Sequence, residues 1–136
     1  MLKRRADTVS LRLAPGAIAP RVARTAVRKL LGRVEPIVLE RAMLLTSELV
    51  TNAVIHAATP LTLDLAVDDG VLHVRVEDGD TGVPVPSTDS GPQGGYGLHI
   101  VELLADSWGT EPHAHGKAVW FELALHGHAE HPLPVG

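Results

Sequence analysis

Hydrophobic and polar positions follow two rhythms along this chain. "TVSLRL" (8–13) sets Val9, Leu11 and Leu13 against polar neighbours, the period of two that predicts a strand. Pro15 and Gly16 break it. Over residues 19–32 the spacing changes to that of an amphipathic helix, with Val22, Ala23, Ala26, Val27, Leu30 and Leu31 as its apolar stripe. Gly32 suits its C-terminal end. A second helix is predicted from about Glu35 to Ala58, with Pro36 in its first turn and Thr59-Pro60 ending it. "LTLDLAVDDGVLHVRVED" (61–78) is the clearest hairpin. Leu61, Leu63, Leu65 and Val67 alternate with polar or small residues, Asp69-Gly70 turns the chain, and Leu72, Val74 and Val76 alternate back. A loop rich in Gly, Pro, Ser and Asp covers 79–96, a short helix runs from about Gly97 to Ala105, and "DSWGTE" and "KAVWFELAL" read as two last strands.

The order strand, helix, helix, hairpin, loop, helix, hairpin predicts an α+β domain. Its expected form is a two-layer sandwich, a mixed sheet covered on one face by helices. The expected domain spans 8–125, between a flexible N-terminus (1–7) and a disordered tail (126–136).

Composition narrows the function. The 136 residues are 45% hydrophobic but only 3% aromatic, so Leu, Val and Ala must fill the core. No stretch reads as a membrane span or a signal peptide, and a cytoplasmic location is expected. With no cysteine, disulfides and thiolate metal sites are excluded. A formal net charge of -4 argues against general nucleic-acid binding. The histidines of "HAH", "HGH" and His131 lack companion ligands at metal-site spacing and read as solvated. Trp108 and Trp120 fall on predicted strands and read as core.

Three stretches carry candidate chemistry. In "LLTSELVTNAVIHAA" (44–58), Glu48, Asn52 and His56 recur every four residues and share one side of the second helix, bordering its apolar arc. An unpaired polar group there costs about 1–3 kcal/mol. A hydrated magnesium ion would satisfy an Asn52 carbonyl oxygen, with Glu48 one turn away as a base. A partly solvated row is the plain alternative. In "VRVEDGDTGVP", parity with Leu72, Val74 and Val76 points Asp78 inward at a strand end, where it needs a donor. The exocyclic amine of adenine is one, and Gly79 and Gly82 permit close approach to the backbone. An Asp-Gly turn leaving a strand reads equally well. In "GPQGGYGLHIVELLAD", Gly94, Gly95 and Gly97 precede a helix, a pattern that suits an anion or a flexible lid over 83–96.

Together, in this order, the motifs resemble the Bergerat-fold ATPases: Glu-x-x-x-Asn on a helix, Asp after a strand, Gly-x-Gly before a helix. "SELVTNAVIHA", "GGYGLHIVELLADSWG" and "GKAVWFEL" are most similar to the anti-sigma-factor serine kinases of that superfamily. The resemblance implies ATP and Mg2+ as ligands and Glu48 as catalytic base. It makes Asn52 the magnesium ligand and Asp78 the adenine-binding residue. Gly82 matches the adenine-side loop, and Gly95, Gly97 and Leu98 the phosphate side. It implies phosphoryl transfer to serine or threonine of an antagonist (anti-anti-sigma) protein, binding of a sigma factor, and homodimerisation. Neither DNA nor membrane is an expected partner. A sensor histidine kinase is not expected, because no helical hairpin with a phospho-accepting histidine precedes the Asn52 helix.

The chain departs from that family pattern at Asp80, where a glycine is expected. It departs again at Ile55, in place of a basic residue, and at Ala118, in place of an adenine-supporting threonine. These departures keep a second reading open, an ATP-sensing binding module that sequesters a regulatory partner with little or no turnover. Arg21, Arg24 and Arg28 line one side of the first helix and read either as a solvated face or as a docking stripe for an acidic partner.

Overall fold

A computed structural model describes residues 7–57, 59–79, 98–113 and 115–126. Strand β1 (Asp7–Leu13) leads into helices α1 (Ala19–Leu31) and α2 (Pro36–His56). The hairpin of β2 (Leu61–Asp68) and β3 (Val71–Asp78) follows, then α3 (Leu98–Leu104), β4 (Ser107–His113) and β5 (Gly116–Ala124). Local chemistry sets the boundaries. Pro36 opens α2 with a φ suited to a first turn. Gly32 leaves α1 at φ 61°, where its N–H bonds to the Arg28 carbonyl. Asp69 and Gly70 both take positive φ, 57° and 77°, the pair that a two-residue hairpin turn requires.

The strands form one sheet in the order β1-β2-β3-β5-β4. Every described pair is antiparallel, so the sheet is not the mixed one that the element order predicts. The reason lies in α3 and β4, which return the chain so that β5 runs back along β3. The expected layering holds, with one helical layer on one face of the sheet.

The core lies between the layers. Leu61, Leu63 and Leu65 of β2, Leu72, Val74 and Val76 of β3, and Phe121 and Leu123 of β5 face Ala23, Val27, Val38, Leu45, Leu49 and Val50 of the helices. Full burial of each large side chain contributes about 1.5–3 kcal/mol. The α1 stripe is wider than the sheet beneath it. Ala23 and Val27 are fully buried, whereas Val22, Ala26 and Leu30 line a groove of about 690 Å³ beside the edge strand β1.

The other face of the sheet is polar. Arg75 contacts Glu77 at 3.0 Å, Glu111 at 3.4 Å and Asp64 at 3.9 Å. Burial alone would lower the Arg75 guanidinium, but Glu77 and Glu111 outweigh it and push its pKa up. Trp120 also stands on this face, which corrects its expected place in the core. Its indole lies over Gly109, where a Cβ would come within 2.9 Å of the ring. Trp108, on the opposite face, does pack against the core.

Candidate nucleotide site

The polar row of α2 occupies the border that its spacing predicts. Asn52 is 4% exposed, Glu48 and His56 are half-buried, and Ile55 is turned out at 66% exposure. Asn52 Oδ1 is buried with no hydrogen-bond donor among the described residues, a condition it shares with Thr46 Oγ1. Inside a helix the backbone N–H groups are already engaged with carbonyls one turn back, so a buried amide oxygen there needs a donor from elsewhere. Desolvation by burial raises the Glu48 carboxyl above its ordinary value of 4.5. A carboxylate so raised is a better proton acceptor than a fully solvated one.

The C-terminal end of α2 is tied to the end of β3. Thr59 Oγ1 accepts the Gly79 N–H at 2.9 Å. Next to that tie, Asp78 points into the helix-facing side, as its parity with Leu72, Val74 and Val76 predicts, and is 5% exposed. The donor that such a carboxylate needs is supplied within the chain. Lys117 Nζ lies 3.2 Å from Asp78 Oδ1 and 3.2 Å from Oδ2, and Lys117 is itself 5% exposed. Asp78 and Lys117 are opposite one another in the β3–β5 register. The approach of β5 is very close here. A Cβ on Gly116 would lie 1.9 Å from the Asp78 carbonyl oxygen, so only glycine fits.

Lys117 is the site residue that the motif reading misses. Its signal is strand parity: Val119, Phe121 and Leu123 are buried on the helix-facing side, and position 117 falls in step with them. The same parity corrects the reading of Ala118. It is opposite Glu77, whose side chain joins the Arg75 cluster, so Ala118 faces away from Asp78 and cannot stand in for a hydroxyl beside it.

Of the remaining predicted residues, Leu98 is buried at the start of α3, which packs against α2. Gly82, Gly95, Gly97 and Asp80 lie outside the described residues, as do residues 83–96, where a lid is expected, and the tail beyond His126. Arg21 and Arg28 are exposed on α1 and Arg24 is half-buried, with Arg21 at the rim of the β1–α1 groove. Among the described residues no group of three His, Asp or Glu side chains is placed to hold a metal. No described helix is long and apolar enough to cross a membrane. The donor set therefore offers one buried amide oxygen beside a carboxylate, which fits a cation that keeps most of its waters.

The family model for the histidine kinase-like ATPase domain matches residues 13–123. The chain belongs to this family. Among curated proteins, none matches it. Solved structures share its fold. The RsbU and RsbW domains of Rv1364c from Mycobacterium tuberculosis superpose with a TM-score of 0.67 at 20% identity, covering 88% of this chain and 32% of that one. The blue-light activated histidine kinase EL346 of Erythrobacter litoralis gives 0.60 at 24% identity, covering 86% of this chain and 43% of that one. Its histidine kinase domain alone gives 0.57 at 25%, covering 84% and 62%. This histidine kinase-like ATPase domain thus spans less than two thirds of each of those chains. Helices on one face of an open antiparallel sheet, with Asn52 on the covering helix and Asp78 at a strand end, are how it realises the family fold.

Proposed function

We propose that this domain binds ATP with Mg2+ and transfers its γ-phosphoryl group to a serine or threonine of an antagonist protein, while also binding a sigma factor. The observation that carries the reading is the buried Asn52 Oδ1, without a donor among the described residues, one helical turn from the raised carboxyl of Glu48. Asn52 would hold the cation, Asp78 and Lys117 the base, and Leu98 the floor beside the phosphates. Bound there, the cation would supply charge neutralisation at the phosphoryl group, and most of the remaining catalysis is positioning. Glu48 takes the proton of the attacking hydroxyl on a carboxylate oxygen as the new O–P bond forms and ADP leaves. Arg21, Arg24 and Arg28 supply positive charge for an acidic partner, so docking weakens with salt.

The test is calorimetric titration with ATP, with and without Mg2+, beside Asn52→Ala. Magnesium-dependent binding that disappears in the variant supports the site. Absence of binding at millimolar ATP removes it. The second reading, a nucleotide-sensing module without turnover, is favoured by Ile55, an exposed apolar residue at the end of α2 that suits partner contact. Glu48→Ala separates the two. If the domain is a kinase, it keeps ATP binding and loses phosphorylation of the antagonist; if it is a sensor, its partner binding is unchanged and no phosphorylation is seen in either form.

A further inference from the structure

Asp78 and Lys117 are the two buried charged side chains of the described structure, and they face each other. We propose that Lys117 is a specificity-determining residue that reads the nucleobase jointly with Asp78. The carboxylate accepts from the exocyclic amine of adenine, and the Lys117 ammonium donates to N1, the neighbouring atom on the same ring edge. The inference rests on the nucleotide reading of this site and goes beyond it, because a carboxylate alone recognises only the amine.

Three observations carry it. First, adenine presents a donor and an acceptor side by side, and the pair presents an acceptor and a donor side by side, with Nζ 3.2 Å from each carboxylate oxygen. An ammonium placed evenly between the two oxygens, on a flexible stem, can move toward a ring nitrogen while keeping one of them. Second, position 118 faces the opposite side of the sheet, so it supplies no donor beside Asp78, whereas position 117 does. Third, Gly116 brings β5 against the Asp78 backbone, which fixes the lysine at the strand end rather than at the surface. Guanine carries an acceptor where adenine carries the amine, and a protonated N1. It therefore sets oxygen against carboxylate and N–H against ammonium, and the pair rejects it more strongly than Asp78 alone.

The test compares ATP, 1-deaza-ATP (N1 replaced by C–H) and 7-deaza-ATP by calorimetric titration of the full chain. The unmodified protein is expected to bind 1-deaza-ATP about tenfold more weakly than ATP and 7-deaza-ATP nearly as well as ATP. In Lys117→Met the gap between ATP and 1-deaza-ATP closes. Should that variant not fold, Lys117→Gln keeps a neutral donor beside Asp78 but is too short to serve a ring nitrogen as well, and the gap closes there too. Equal binding of ATP and 1-deaza-ATP by the unmodified protein overturns the inference and leaves the nucleotide reading intact. So does an undiminished gap in the variant, or a variant that binds ATP more tightly, since Lys117 would then be competing with the base. An unmodified protein that binds no adenine nucleotide overturns the nucleotide reading and this inference with it.

Discussion

Glu48 and Lys117 illustrate opposite effects of burial on single residues. The Glu48 carboxyl binds its proton more tightly in the folded chain than in the unfolded one, where 4.5 is its ordinary value. Its burial therefore costs nothing below about pH 4 and weakens the fold as pH rises through 4.5 to the raised folded value, remaining so at neutrality. Glu48→Gln is expected to be more stable than the parent at pH 7, with the difference vanishing in acid, as read from denaturation midpoints across pH. Lys117 is the reverse case, a charge that burial tolerates because its partner is buried too. Lys117→Met removes the ammonium that lies against the buried Asp78 carboxylate and is expected to cost about 3–5 kcal/mol in urea denaturation. Adding Asp78→Asn to it recovers part of that loss, because the buried negative charge is then removed as well. The sequence made Glu48, Asn52 and Asp78 visible through spacing and parity. It did not make Lys117 visible as a site residue, because a lysine at the start of a strand ordinarily reaches solvent.

At the scale of elements, the strands and turns separate two uses of glycine. Gly70 is needed for its φ of 77°, and a Cβ there meets only His126 Cδ2 at 3.5 Å, an ordinary contact. Gly70→Ala should therefore cost about 1–2 kcal/mol, the strain of a left-handed residue. Gly116 is needed for space, since its Cβ would meet the Asp78 carbonyl oxygen. Gly116→Ala must push β5 away from β3, and it is expected to lower stability by more than Gly70→Ala and to weaken ATP binding as well. Thermal denaturation of both variants, with and without nucleotide, checks the ranking. Phe121, fully buried where β5 faces the helices, sets the scale of a core deletion. Phe121→Ala should cost about 3–5 kcal/mol by chemical denaturation.

For the whole molecule, the site is held on two parts of the fold, α2 and the paired ends of β3 and β5, with the Thr59–Gly79 bond between them. A ligand that bridges both should resist unfolding of either. Saturating Mg-ATP at a hundred times its dissociation constant is expected to stabilise the fold by about 2.7 kcal/mol, a rise of about 8–13 °C in the melting temperature. Asn52→Ala should abolish that rise while leaving the unliganded melting temperature close to the parent's, because the amide oxygen it removes has no partner among the described residues to lose.

The chain's periodicities by themselves determined the elements. The alternation of Leu61 to Val67, the stripe of α1 and the Asp69-Gly70 turn are local properties, dictated by steric preference and by which side of an element must leave water. Parity likewise fixed Asp78 as an inward carboxylate, because each strand residue faces opposite to the next. Only the tertiary structure decided strand direction, the β1-β2-β3-β5-β4 order and the register that sets Lys117 against Asp78. Pairing between segments 39 residues apart depends on how α3 and β4 return the chain, which no local preference encodes. The inward turn of Trp108 and the outward turn of Trp120 likewise follow from strand register, since a shift of one residue would exchange their faces.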